Sequence, residues 1–136
     1  IMISFLYSSS IFGQSGKLEI AVTEIRNEKG DIRVALFQQE DGFPNDHKKA
    51  FYSGTFDIAG TQLNFTIEDL PYGEYALAIL HDENGNEKMD FNFLRMPKEG
   101  YGVSNNVTRS LGPPKFKDAK FILSSENMQM EITLNY

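Results

Sequence analysis

The stretch 81–90 carries the densest set of side chains in this chain that could do chemistry. Oxygen-bearing side chains alternate along it, at Asp82, Asn84, Asn86 and Asp90. This spacing is typical of a loop that wraps a hard cation such as Ca²⁺, in which the seventh position contributes a backbone carbonyl. Counted from Asp82, that carbonyl belongs to Lys88. The spacing therefore predicts a calcium site formed by these five residues.

Two positions of such a loop differ from the usual pattern. Glu87 stands where a glycine normally makes the sharp turn, and Phe93 stands where a bidentate glutamate normally closes the site. A carboxylate from Glu83, Glu87 or Glu99 could complete the site. With two carboxylates in the loop, we expect weak affinity, with Kd on the order of 10⁻⁴–10⁻³ M. The alternative is a turn in which Asn and Asp side chains cap their own backbone without an ion.

His81 and Asp82 also form the His–carboxylate pair that general-base catalysis uses. A hydroxyl such as that of Ser104 would complete a hydrolase-like set. The sequence around Ser104 is not a nucleophile elbow, and 100–102 lacks the following helix pattern of a phosphate-binding loop. We therefore favour His81 as a hydrogen-bonded residue at the end of a strand, and we expect no enzymatic activity. Hydrolysis by His81 and Asp82 is the less favoured alternative.

The same region supplies candidates for a ligand-binding face, namely His81, Glu99, Tyr101 and Asn105. Exposed aromatic rings among Asn and Asp are typical of carbohydrate-binding surfaces. The alternative is that the aromatic rings are buried and attach a long loop to the core. We expect the partner to be an unknown protein or a glycan.

Composition limits the other classes of partner. The 136 residues include 13 basic and 19 acidic side chains, for a formal net charge of −6. Nucleic acids and anionic lipids need clustered Lys and Arg, and no such cluster is present. The absence of cysteine excludes disulfides, thiolate nucleophiles and zinc sites built on Cys. We expect a monomer without a membrane span.

Residues 1–15 are apolar and Ser-rich, with no charge before Lys17. The segment is shorter than the roughly 20 apolar residues that a spanning helix needs, and it is typical of the apolar core of a secretory signal peptide. We interpret it as a signal remnant preceding one domain at 16–136. We therefore expect an exported protein.

Apolar and polar residues alternate along most of the chain, which predicts strands at 17–26, 31–38, 61–67 and 128–136. The turn 27–30 predicts that the first two strands form a hairpin. An edge strand is expected within 48–58, a central strand buried on both faces at 74–80, and a further strand at 116–123. A long loop occupies 81–115. The sequence therefore predicts an all-β, antiparallel β-sandwich of about seven strands.

Several successive motifs resemble one bacterial family across residues 17–136. They are the runs 70–86 (LPYGEYALAILHDENGN), 96–106 (MPKEGYGVSNN) and 112–119 (GPPKFKDA), with the terminal Tyr136. Together they are similar to the exported proteins grouped as domain of unknown function 2141. The resemblance implies an immunoglobulin-like or transthyretin-like sandwich without established catalytic residues. It also implies an exported bacterial protein, located in the periplasm or at the cell surface. We expect a binding or structural module, with the loop 81–106 as its functional face.

Overall fold

The computed structural model describes residues 14–85, 99–108 and 112–136. Within these ranges eight strands form two sheets packed face to face. The strands are β1 (Ser15–Thr23), β2 (Asp31–Phe37), β3 (Tyr52–Phe56), β4 (Leu63–Pro71), β5 (Gly73–Asp82), β6 (Tyr101–Val103), β7 (Phe121–Leu123) and β8 (Asn127–Thr133). One short helix, α1 (Phe116–Ala119), and two 3₁₀ turns, His47–Lys49 and Ser104–Asn106, complete the described elements. The all-β prediction is confirmed.

The first sheet has three strands in the order β4-β1-β8, and the second has the order β3-β2-β5-β6, with β7 also pairing with β5. All pairs are antiparallel except β1 with β8, which run parallel. Between the sheets lies the main core, to which every long strand contributes side chains from its inner face, including Leu18, Val34, Ile67, Leu77 and Ile132. The period of two that predicted the strands is therefore the period of this core.

The predicted hairpin of the first two strands is wrong, because β1 and β2 belong to different sheets. After β1 the backbone of Glu24 takes a positive φ of 64°, and Ile25 enters the core with its N–H bonded to the carbonyl of Thr61 at 3.0 Å. This anchor carries segment 24–30 across the end of the sandwich. Gly30, at the end of this segment, has a positive φ of 67°, and a Cβ there would overlap the carbonyl of Asp82.

The predicted strand 116–123 is correct only in its second half. Residues Phe116–Ala119 form α1, and only Phe121–Leu123 forms β7. The helical turn arises because Phe116 and Ala119, three positions apart, both pack against the outer face of the second sheet. That face carries a second apolar cluster, made by Ala35, Phe37, Ala76, Ala78, Val103 and Ala119.

The expected edge strand and central strand are confirmed. β3 is the outermost strand of the second sheet, and it begins after the 3₁₀ turn at His47–Lys49. β5 is buried on both faces, since its inner side chains join the main core and its outer ones join the second cluster. No helix in the described ranges is long and apolar enough to cross a membrane. Residues 1–13 of the predicted signal segment 1–15 lie outside the described residues. The last residue of that segment, Ser15, is the first residue of β1.

Candidate functional site

His81 is fully buried at one end of the sandwich, and both of its ring nitrogens are hydrogen-bonded. Nε2 lies 2.7 Å from the carbonyl oxygen of Lys29, and Nδ1 lies 2.7 Å from the hydroxyl of Tyr136. A carbonyl can only accept, so Nε2 carries a proton and donates to Lys29, and Nδ1 shares a second hydrogen bond with the Tyr136 hydroxyl. That hydroxyl accepts in turn from the backbone N–H of Arg26, at 3.0 Å. His81 therefore joins the 24–30 segment to the end of the chain.

Arg26 and Glu83 form an ion pair beside this chain of hydrogen bonds. The guanidinium donates from Nε and Nη2 to the two carboxylate oxygens, at 3.0 and 2.7 Å, and it lies 4.3 Å from the centre of the Tyr136 ring. Asn27 donates a further hydrogen bond to Glu83 at 2.6 Å. These donors, chiefly Arg26, hold the pKa of Glu83 at about 2, below its ordinary value of 4.5. Burial raises the pKa of the Tyr136 hydroxyl. We call this group the end cluster: Arg26, Asn27, Lys29, His81, Glu83 and Tyr136.

Glu99 connects the turn after β5 with the described segment 99–108. Its Oε2 accepts the backbone N–H groups of Glu83 at 2.8 Å and Asn84 at 3.3 Å, and its side chain is buried. Next to it, the carbonyl of Gly100 accepts the N–H of His81 at 2.8 Å, and a Cβ on Gly100 would overlap the Tyr136 ring. The glycine is required because the aromatic ring packs directly on the backbone.

Asp82 points to the opposite face of β5 from His81, and its carboxylate is buried. Its Oδ2 lies 3.1 Å from Nε of Arg33, which also lies 3.2 Å from Oδ1 of Asp31. The predicted cation ligand Asp82 is thus bound to a guanidinium. Asn84 is exposed in the turn after β5, and Asn86, Lys88 and Asp90 lie outside the described residues. The described ranges contain no cluster of three His, Asp or Glu side chains suited to a metal. The calcium site stays a prediction.

Ser104, the hydroxyl of the hydrolase alternative, is buried among backbone groups. Its hydroxyl accepts the N–H of Leu77 at 2.9 Å and donates to the carbonyl of Ala119. It joins β5 to the end of α1, and the nitrogens of His81 are bonded to Lys29 and Tyr136 instead. The described geometry thus assigns both residues to structural hydrogen bonds.

Three of the four candidates for a ligand-binding face are inside the protein: His81, Glu99 and Tyr101 are 0, 4 and 6% exposed. Tyr101 forms a two-way backbone bridge with Asn135, with N···O distances of 3.0 and 2.8 Å, which closes the β6–β8 side of the sandwich. Asn105 is exposed, and its amide donates to the carbonyls of Asp118 and Lys120. The four residues thus do not form one surface in the described structure.

An open groove of about 260 Å³ lies on the outer face of the second sheet. Two cross-strand rows form its floor, Ser53–Ala35–Ala78 and Thr55–Arg33–Leu80. Pro44, Asn45 and His47, from the loop before β3, form one wall. We call this feature the outer groove. Ala35 and Ala78 keep the groove open because their side chains are short, and larger residues at these two positions would fill it.

Sequence reasoning did not identify the outer groove. The sequence does show small or hydroxylated side chains at outward-facing positions of three strands. Only the strand pairing shows that Ser53, Ala35 and Ala78 lie in one row. It also missed the partners of His81, because Lys29 and Tyr136 are 52 and 55 residues away along the chain.

The protein is therefore a two-sheet β-sandwich with a hydrogen-bonded end cluster and an open outer groove. Its described residues contain no recognised catalytic constellation. Over residues 20–131 the chain matches the family described as "Uncharacterized protein conserved in bacteria (DUF2141)". The chain belongs to this family, as its sequence motifs predicted. No curated protein and no solved structure shows significant similarity to it.

Proposed function

We propose that this domain is an exported bacterial binding module whose ligand occupies the outer groove. The observation that carries the proposal is the groove itself, a concave space of about 260 Å³ in which side chains from three strands and one loop converge. Pockets for small molecules are concave and combine an apolar surface with a few polar groups. This volume is slightly below the common range of about 300–1,000 Å³, so it suits a single small ligand or one sugar unit.

The polar groups of the groove favour an uncharged, hydroxylated ligand. Ser53, Thr55 and Asn45 can each donate and accept hydrogen bonds, as sugar hydroxyls do. Arg33 is the cation of the groove, and the carboxylates of Asp31 and Asp82 already balance its charge. An anionic ligand would therefore gain little from it, whereas the apolar side chains of the floor, Ala35, Ala78 and Leu80, can pack against the C–H face of a sugar ring.

The groove adjoins the loop that the sequence singled out. Leu80 lines the groove one residue before His81, and Ala78 pairs with Val103 on the returning strand β6. The predicted functional face at 81–106 thus begins next to this space.

Titration with glucose, galactose and N-acetylglucosamine, followed by amide chemical shifts in NMR spectra, tests the proposal. We expect saturable shifts at β2, β3 and β5 for at least one sugar, and weaker binding for Thr55→Val, which removes a hydroxyl at nearly constant shape. Thr66→Val is the matched control, because Thr66 is exposed on β4 of the other sheet. Shifts that map away from the groove, or equal affinities in both variants, would contradict the assignment.

A calcium-stabilised structural domain is the second candidate. The observation in its favour is that the carboxylate of Glu99, which could supply the ligand missing from the predicted loop, lies at the backbone of Asn84. The test of this candidate uses Asp82 and is given with the other predictions on stability.

A further inference from the structure

β3 has an open edge. It pairs with β2 on one side, and no described strand pairs with its other side. Half of the backbone N–H and C=O groups of such a strand point away from the sheet and can accept another strand. The side chains of β3 alternate between the two faces of the sheet, with Ser53 and Thr55 exposed on the outer face and Tyr52 and Phe56 half-buried against the main core.

β3 also lacks the features that usually protect a sheet edge. Its sequence Tyr52–Phe56, YSGTF, contains no charge and no proline. By comparison, the edge strand β4 carries Glu68 and Asp69 and ends at Pro71. On the far side of the sandwich, the bridge between Tyr101 and Asn135 joins the two sheets. Among the described edges, β3 is therefore the one best suited to add a strand.

We propose that β3 pairs with β3 of a second copy of this chain, antiparallel and with a two-fold axis at Gly54. The five-residue strand is self-complementary about its centre. In this register Tyr52 lies opposite the partner's Phe56, and Ser53 lies opposite the partner's Thr55. Aromatic pairs and Ser–Thr pairs are favourable cross-strand neighbours, and a two-fold interface makes each pair twice. Gly54 lies on the axis, where a Cβ would come within 2.9 Å of the hydroxyl of Tyr52 on the same strand.

The residues that flank β3 give charge complementarity in the same orientation. The 3₁₀ turn before the strand is basic, with Lys48 and Lys49, whereas Asp57 follows the strand. Lys49 already pairs with Asp41 of its own chain at 3.1 Å, so Lys48 carries most of this complementarity. Antiparallel pairing brings the basic end of one copy to the acidic end of the other. It also places Phe51, which is 48% exposed, opposite the partner's Asp57 and over the end of its strand. A parallel pair would instead place like charges together.

Pairing at β3 would join two five-stranded sheets into one continuous sheet. The inference replaces the expectation of a monomer that followed from the sequence. It does not depend on the ligand of the outer groove, although Ser53 and Thr55 belong to both features.

Sedimentation velocity of the full chain over a range of concentrations tests the proposal. We expect a monomer–dimer equilibrium for the natural sequence. The double variant Ser53→Lys with Thr55→Lys should raise the dissociation constant about tenfold or more, because the register places introduced lysines directly opposite one another. The matched variant Ser53→Lys with Thr55→Glu should retain the dimer, because the same register then pairs opposite charges.

Mixing tests the register without relying on any one variant. The Lys–Lys variant mixed with Ser53→Glu/Thr55→Glu should form heterodimers, whereas each alone should be more monomeric than the natural chain. Circular dichroism melts establish that all variants fold. A natural chain that stays monomeric at millimolar concentration would overturn the proposal. So would a dimer that the Lys–Lys variant does not weaken, since another surface must then form it.

Discussion

The two histidines of this protein lie in opposite environments, one buried and one exposed. The difference distinguishes the part of the molecule that maintains the fold from the part that can bind a ligand. His81 is fully buried with both nitrogens bonded. His47 is exposed at the wall of the outer groove, and its side chain forms no hydrogen bond within the part of the chain that the structure describes. A group whose hydrogen bonds are all made inside the protein stabilises the fold, whereas an exposed polar group in a concave site can still bind a ligand.

The largest effect is expected for His81→Ala. The substitution leaves the carbonyl of Lys29 without its partner, removes one of the two hydrogen bonds of the Tyr136 hydroxyl and creates a buried cavity. We expect the free energy of unfolding to fall by about 3–5 kcal/mol. Urea denaturation followed by circular dichroism measures this loss. A loss below about 1 kcal/mol would mean that the end cluster does not maintain the fold and that the contrast with the groove is wrong.

Asp82→Asn should have the next largest effect, because it removes the buried one of the two carboxylates that Arg33 faces. Breaking a buried ion pair costs about 3–5 kcal/mol, and the partial exposure of Arg33 reduces this to about 2 kcal/mol.

Thermal melts of the natural protein and of Asp82→Asn in EDTA and in millimolar Ca²⁺ also test the calcium candidate. If the loop binds calcium, the natural protein gains Tm in Ca²⁺ and the variant does not. Equal melts of the natural protein in both buffers would remove that candidate.

Tyr136→Phe removes the two hydrogen bonds of the Tyr136 hydroxyl while keeping the ring that packs on Gly100. Nδ1 of His81 and the N–H of Arg26 each lose their partner. We expect a loss of about 1–3 kcal/mol, in the range for buried groups left without a hydrogen bond. Thermal denaturation measures it, with Tyr52→Phe on β3 as the control, which should stay within about 0.5 kcal/mol. Equal losses in the two variants would contradict a specific role for the Tyr136 hydroxyl.

The ion pair of Glu83 predicts a loss of stability in acid. The folded pKa of about 2 is below the ordinary value of 4.5, so the unfolded chain binds the proton more tightly. The contribution is complete above about pH 4.5 and is lost as the pH falls towards 2. Because Arg26 is half-exposed, we expect about 1 kcal/mol. Urea denaturation at pH 6 and pH 2.5 should show a smaller difference for Glu83→Gln than for the natural protein. An unchanged difference would contradict the pairing.

Local patterns predicted the strands and the buried nature of β5, because a period of two follows directly from a sheet with one face on a core. The pairing of those strands was not predictable in the same way. The turn 27–30 has hairpin chemistry, yet the burial of Ile25 directs the chain to the other sheet. Likewise, nothing near His81 in the sequence indicates Tyr136 as its partner. The outer groove depends on which small residues of β2, β3 and β5 lie side by side, which is a property of register.

The smallest effect on stability is expected for His47→Ala, the counterpart of the His81 substitution. His47 is exposed, and its contribution to the 3₁₀ turn comes from its backbone carbonyl, which accepts the N–H of Ala50 at 3.2 Å. Removing the imidazole leaves that bond intact, so the free energy of unfolding should change by no more than about 0.5 kcal/mol. Sugar binding in the NMR titration should weaken if the imidazole faces the ligand. A large loss of stability would show that the wall of the groove is part of the fold in the way that the end cluster is, and the distinction between the two histidines would then fail.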